Sequence, residues 1–287
     1  HHINTEEGLW RIEERFCYFD RFSDACMEHR KIQTEFTHFV KAHSRRGTMV
    51  NPTALLYGQY DAWLCFGRPN AWGHLGDAWK FDTPEESWDL LNIFYPDNVL
   101  DAIYRHPCEN KPQGFYTRTP YGTVDIVPIE AESQLLDSYQ SAAFLGWNTA
   151  EPAQIDKLAE YVQNGGTLLL GWPHLFTDTD RTTAIYGDAT PVDKASIHKL
   201  LGVDFHGFVS AQTPDGTETV LGDITPVEQV VVRSTLNGHP LVLEHSIGQG
   251  KVLFVNLREY PAAKTARPIY ESLLRELGEL GVASQKE

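Results

Sequence analysis

Five of the seven tryptophans fall just after stretches that read as buried strands: Trp63, Trp72 and Trp79 after the run at Thr53, Trp147 after the run at Ala142, and Trp172 after the run at Thr167. An indole can stack on the apolar face of a pyranose ring, and Asp61, Arg68, Asn148 and His174 stand near those tryptophans as hydrogen-bonding groups for hydroxyls. The pattern suggests a sugar-facing surface built from Trp63, Arg68, Trp72, Trp147, Asn148, Trp172 and His174. The same residues would serve equally as a small core beneath a long loop folded over the sheet end, and the sequence leaves both readings open.

Glycoside hydrolysis needs two carboxyl groups about 5 to 9.5 Å apart in space, which chain spacing does not supply. The candidates are Asp61, within the tryptophan-rich stretch, and Glu7, which follows Glu6 and precedes Trp10 in TEEGLW. Asp178, Asp180 and Asp188 share the composition of a calcium loop but lack its spacing and closing Glu, so no metal is assigned. Cys17, Cys26, Cys65 and Cys108 show no CxxC spacing, which argues against structural zinc. Cys17 and Cys26 could pair in an oxidising compartment, with four reduced thiols as the alternative. Nothing calls for a cofactor.

The formal net charge of -15 argues against a phosphate-backbone partner and therefore against nucleic acid. No apolar run approaches the roughly 20 residues that span a bilayer, so no membrane partner is expected. The first residues lack a basic-then-apolar leader, although a cleaved one would leave no trace, and cytoplasmic and secreted or periplasmic locations stay open.

The elements that must position these side chains centre on residues 142–175, which read as strand, helix and strand. The runs at 142–146 and 167–171 are short, apolar and bounded by turn residues, as in strands covered on both faces. Between them Ile155, Leu158, Ala159 and Val162 form one helical stripe. Asn148 or Thr149 can cap its start, Pro152 suits its first turn, and Asn164-Gly165-Gly166 tolerates its end. Such a unit makes parallel strands, and ligands of open α/β sheets bind beyond their carboxyl ends.

Upstream, Ile32, Phe36, Phe39 and Val40 give a helix over 23–42, followed by a strand at 53–58 and a long loop at 59–82. Thr83-Pro84-Glu85-Glu86 starts a helix that turns Trp88, Leu91 and Phe94 inward. A strand at 123–127 and a short helix at 132–139 lead into the central unit. After a helix at 195–201 the period changes, and short β-branched runs at 203–210, 218–221, 229–233, 241–245 and 251–256 read as antiparallel strands. Residues 251–256 are one of these runs, with a return to the main sheet as the alternative placement, and a helix over 263–280 closes the chain.

This order, with YVQNGGTLLLG at 161–171 and GQGKVLFVNLREYP at 248–261, resembles the class I glutamine-amidotransferase-like fold, in the form that follows the barrel of family 42 β-galactosidases as a trimerisation domain. The resemblance covers about 53–280. Members that hydrolyse glutamine carry a nucleophilic Cys on the turn after the strand matching 167–171; here that position is Trp172, so glutaminase chemistry does not carry over. The resemblance implies instead a part of a carbohydrate-active enzyme that contributes oligomer contacts, with catalytic carboxylates in a preceding barrel.

The expected fold is an α/β protein with a flavodoxin-like parallel sheet, helices on both faces, an N-terminal helical extension and C-terminal antiparallel strands. Residues 1–46 are expected to be that extension or the tail of a barrel, and 47–287 the α/β domain. The expected role is a domain of a β-galactosidase-like glycoside hydrolase that forms a homo-oligomer and binds carbohydrate on its tryptophan-rich surface. The alternatives are a glycoside hydrolase in its own right and a pure oligomerisation module.

Overall fold

The computed structural model describes residues 24–43, 51–58, 83–95, 120–179, 189–227 and 229–284. The chain divides into two compact units, 1–50 and 51–287. In the first, helix α1 (Asp24–Ala42) follows from the 3.6-residue spacing of Ile32, Phe36, Phe39 and Val40, all of which are exposed within it.

The second unit is α/β, with a mostly parallel sheet of seven strands. Strand β1 (Thr53–Tyr57) pairs in parallel with β2 (Val124–Pro128) and β3 (Ser141–Phe144); β3 pairs with β4 (Thr167–Gly171), and β4 with β9 (Gly250–Val255). Two further strands extend the sheet antiparallel to β9, namely β8 (His239–Ile247) and then β7 (Val230–Leu236). The order is β2-β1-β3-β4-β9-β8-β7. A separate antiparallel pair joins β5 (Val203–Gln212) to β6 (Glu218–Pro226).

The near-continuous apolar runs of β1, β3 and β4 have a direct cause. Leu55, Ala143, Leu169 and Leu253 sit side by side in register and point to one face, where Trp88, Phe94, Tyr270, Leu274 and Leu277 cover them. Their neighbours Leu56, Phe144, Leu168, Leu170 and Phe254 point to the other face, under Ile155, Leu158, Val162 and Leu200. Burying each such Leu or Phe contributes about 1.5–3 kcal/mol, so the two layers together fix both register and face.

The first face is covered by the 3₁₀ segment Ser87–Ile93, which continues the short helix α2 (Thr83–Glu86), and by α6 (Arg267–Ser284). The second lies under α3 (Ser133–Leu136), α4 (Pro152–Gln163) and α5 (Lys194–Leu201). The expected α-helix after Thr83 becomes 3₁₀ from Ser87, which rotates Leu91 to a half-buried position while Trp88 and Phe94 stay in the core. Neither expected cap of α4 is used: its N-cap is Glu151, without a side-chain hydrogen bond, and Asn148 and Thr149 bond elsewhere.

The 229–233 and 241–245 runs are longer than their composition indicates. They meet at Asn237-Gly238, where φ values of 51° and 84° make the two-residue turn that suits a twisted hairpin.

The antiparallel end of the sheet is tied to α6 by charge. The Arg233 guanidinium donates to both oxygens of Glu276 (2.7 and 2.9 Å) and to Glu244, and Lys251 lies 3.3 Å from Glu244. The hydrogen bond from Arg233 holds the Glu276 carboxyl below the usual carboxylate range. A depressed folded pKa stabilises above the unfolded value of about 4.3 and is lost on acidification. Because Glu276 is about a third exposed, screening limits the effect, and Glu276→Gln is expected to cost about 1 kcal/mol or less at pH 7 and less at pH 3. Urea unfolding at the two pH values checks this.

Candidate functional site

Strands β1, β3, β4 and β9 all end at the same sheet edge, where an α/β fold places its chemistry. The chain continues there as Gly58, as Leu145 to Asn148, as the 3₁₀ turn Trp172–Leu175, and as Asn256 to Tyr260. Among the described residues, the side chains of Trp147, Asn148, Trp172 and His174 at this edge are buried.

Trp172 is 0% exposed. Its indole packs against Phe205 from β5 (ring centroids 4.5 Å apart), Phe208 from the same strand (5.3 Å) and Phe254 from β9 (5.3 Å). Its Nε1–H donates to Asn256 Oδ1, which also accepts from the Gly222 N–H at 3.0 Å. The Asn256 amide nitrogen donates to the carbonyls of Gly222 (2.9 Å) and Pro240 (2.7 Å), so this one side chain joins β4, β6, β8 and β9. The indole lies so close to β6 that a Cβ on Gly222 would fall 2.5 Å from Trp172 Nε1, and only glycine permits the approach. The β5–β6 pair thus lies over the turn after β4.

His174 is equally enclosed. Its ring stacks on Phe144 at 5.3 Å and meets Tyr260 and Tyr270 edge-on. The Gly171 N–H donates to Nδ1 at 2.9 Å, which leaves the ring proton on Nε2. Burial outweighs the neighbouring backbone groups of Leu145 and Gly171 and lowers the ring's pKa to about 3. The imidazole is neutral at physiological pH, has no nucleophile beside it among the described residues and is buried, so it is unsuited to general-base work.

The remaining polar groups serve packing. Asn148 donates from Nδ2 to the His174 carbonyl at 2.8 Å, tying the end of β3 to that of β4. Trp147 is 1% exposed and donates to Thr149 Oγ1 at 3.1 Å. Among the described residues, Asn148 Oδ1, His174 Nε2 and the Tyr270 hydroxyl are buried without hydrogen-bond partners, and a Cβ on Gly171 would fall 2.3 Å from the Tyr270 hydroxyl of α6. Among the described residues no group of three His, Cys, Asp or Glu side chains could hold a metal ion.

Of the residues proposed from the sequence, the structure therefore brings Trp147, Asn148, Trp172 and His174 together, but as an interior cluster. All four side chains are buried, with residues of β5 packed on Trp172 and Tyr260, after β9, meeting His174. Trp63, Arg68, Trp72, Asp61 and Glu7 lie outside the described residues, as do Cys17, Cys65 and Cys108. Asn256, Gly222 and Tyr270 were not singled out. A polar residue closing the apolar run VLFV was a signal for Asn256, since a buried strand end has polar groups to satisfy.

No protein-family model matches the chain, and no curated protein matches it. Among solved structures the chain is similar to the exo-β-1,4-mannosidase Op5Man5 from Opitutaceae bacterium strain TAV5, at 15% identity and TM-score 0.44 over 92% of this chain and 40% of that one. It is similar to a β-galactosidase from the haloarchaeon Halorubrum lacusprofundi, at 19% identity and TM-score 0.44 over 83% of this chain and 32% of that one. It is also similar to a β-galactosidase from Bacillus circulans sp. alkalophilus, at 13% identity and TM-score 0.43 over 80% and 31% respectively. The chain spans well under half the length of each. At these identities and TM-scores no activity, substrate or partner is carried over to this chain. No helix among the described residues is long and apolar enough to cross a membrane.

Proposed function

We propose that residues 47–287 are a non-catalytic α/β domain of a carbohydrate-active, β-galactosidase-like enzyme, with residues 1–46 as the tail of a preceding catalytic barrel. The observation that carries this reading is the enclosure of the turn after β4. A working amidotransferase exposes a nucleophile there, whereas here Trp172 fills the position with no exposed surface and packs on Phe205, Phe208 and Phe254 of the same domain. The parallel strand order β2-β1-β3-β4-β9 supports the flavodoxin-like form of the fold. The sequence motifs at 161–171 and 248–261 support the class I amidotransferase-like relationship.

In this reading the domain contributes subunit contacts to a homo-oligomer. Of the residues offered for sugar stacking it keeps Trp63, Arg68 and Trp72, and gives up Trp147, Asn148, Trp172 and His174, whose faces are enclosed. Asp61 and Glu7 are left without a catalytic role.

The test is activity of the 287-residue chain. It is expected to release no ammonia from glutamine and to cleave no aryl β-galactoside, both measured against a heat-denatured control. Galactoside cleavage by this chain would show that its own carboxylates are catalytic, and glutaminase activity lost in Cys65→Ser or Cys108→Ser would show that the nucleophile turn is elsewhere.

A further inference from the structure

Away from the sheet edge, a recess of about 290 Å³ lies between α6 and the 3₁₀ segment Ser87–Ile93. Its volume is near the lower end of small-molecule sites, about 300 Å³. Leu90 and Ile93, both buried in the core, form its base, so the recess stands on rigid packing. Tyr121 is fixed beside them: its ring meets Phe94 edge-on at 6.0 Å and lies over Gly278, where a Cβ would fall 2.4 Å from it.

The walls are polar. Asp89 and Asn92 come from the 3₁₀ segment, and Arg267, Glu271 and Arg275 from one row of α6 at four-residue steps. Arg267 Nε donates to Glu271 at 3.2 Å, so that pair is largely self-satisfied. Arg275 makes no hydrogen bond or ion pair among the described residues, in a chain whose net charge is -15. A guanidinium left uncommitted at the mouth of a recess presents a planar fork that matches a carboxylate, and an aromatic with adjacent amide and carboxylate groups matches a hydroxylated ring.

We infer that this recess binds one pyranose residue bearing a carboxylate, a sugar acid, with Arg275 taking the carboxylate, Asn92 the hydroxyls, and Tyr121 the apolar ring face. A neutral sugar would leave Arg275 unanswered. The choice of a sugar acid over another small carboxylate rests on the carbohydrate reading proposed above; the anion-binding character of the recess does not.

Calorimetric titration of the full chain at low salt with glucuronate, galacturonate, galactose and citrate tests this. Millimolar binding of a uronate, clearly tighter than galactose, is expected, weakened about tenfold or more by Arg275→Gln with an unchanged melting temperature. Absence of uronate binding, equal binding of galactose, or insensitivity to Arg275→Gln would each overturn the inference. Citrate binding without uronate binding would overturn the sugar-acid assignment while leaving an anion site. A fluorescence response to neutral oligosaccharides in a protein that binds no uronate would sink this site alone and leave the carbohydrate reading standing.

Discussion

Replacing Trp172 by alanine is expected to destabilise the α/β unit by about 3–5 kcal/mol, the cost of emptying a fully buried large aromatic site. Three independent contacts of the indole support the high end of that range. Its faces and edges meet Phe205, Phe208 and Phe254, which come from two different strands, so the surrounding structure has no single element that can collapse into the space. Its Nε1–H also satisfies part of Asn256, the side chain that joins four strands. Trp172→Phe keeps part of the packing but loses the donor and some ring volume, and an intermediate loss of about 1–3 kcal/mol is expected. Urea unfolding followed by circular dichroism measures both variants. A loss below about 1 kcal/mol for the alanine variant would mean that the indole is not enclosed.

Acid should unfold this protein steeply, and His174 should account for much of the slope. Its folded pKa of about 3 lies well below the unfolded value of about 6.5, so between those pH values the unfolded chain holds a proton that the folded chain refuses. The folded state loses stability as the pH falls through that window, on the order of a few kcal/mol in all. Above pH 6.5 the group contributes no pH dependence. His174→Gln, which keeps an acceptor for the Gly171 N–H, removes the titration. Its stability should therefore run flatter than that of the unaltered protein from pH 6.5 downward, whatever its value at pH 7. Glu276 also loses its stabilisation in acid, but it does so in both proteins and cancels in the comparison. Parallel curves for the two proteins would contradict the buried, neutral state of His174.

The elements that were legible were those whose signal is local. The apolar runs of β1, β3 and β4 are long enough and flanked by clear enough turns to be read, and the stripe of Ile155, Leu158, Ala159 and Val162 emerges buried as its period requires. The 3₁₀ segment was not legible, because Trp88, Leu91 and Phe94 at steps of three fit either helix type until packing selects one. The turn at Asn237-Gly238 carried a strong hairpin signal that shorter strand assignments on either side left unused. The caps expected from Asn148 and Thr149 were lost to tertiary competition: Asn148 reaches across to the His174 carbonyl, 26 residues away.

The tryptophans show a deeper limit. Position after a strand is the same for an indole that lines a cleft and one that fills a core, and what decides is the partner. For Trp172 that partner is Asn256, 84 residues later in the chain, together with a β5–β6 pair that no local pattern places above it. Sequence located the residues at the right edge of the sheet. It could not say which way the edge was closed.

The central claim, that the turn after β4 is enclosed rather than open to a binding cleft, is tested most directly on the Trp172→Ala variant by measuring two quantities together. These are its unfolding free energy and its affinity for neutral oligosaccharides, followed by the fluorescence of the remaining tryptophans. The account predicts a loss of about 3–5 kcal/mol in stability and, in the fraction that stays folded, the same oligosaccharide affinity as the unaltered protein. A variant of native stability whose oligosaccharide affinity falls, by about 1–3 kcal/mol if indole stacking on sugars matches that on bases, would contradict it.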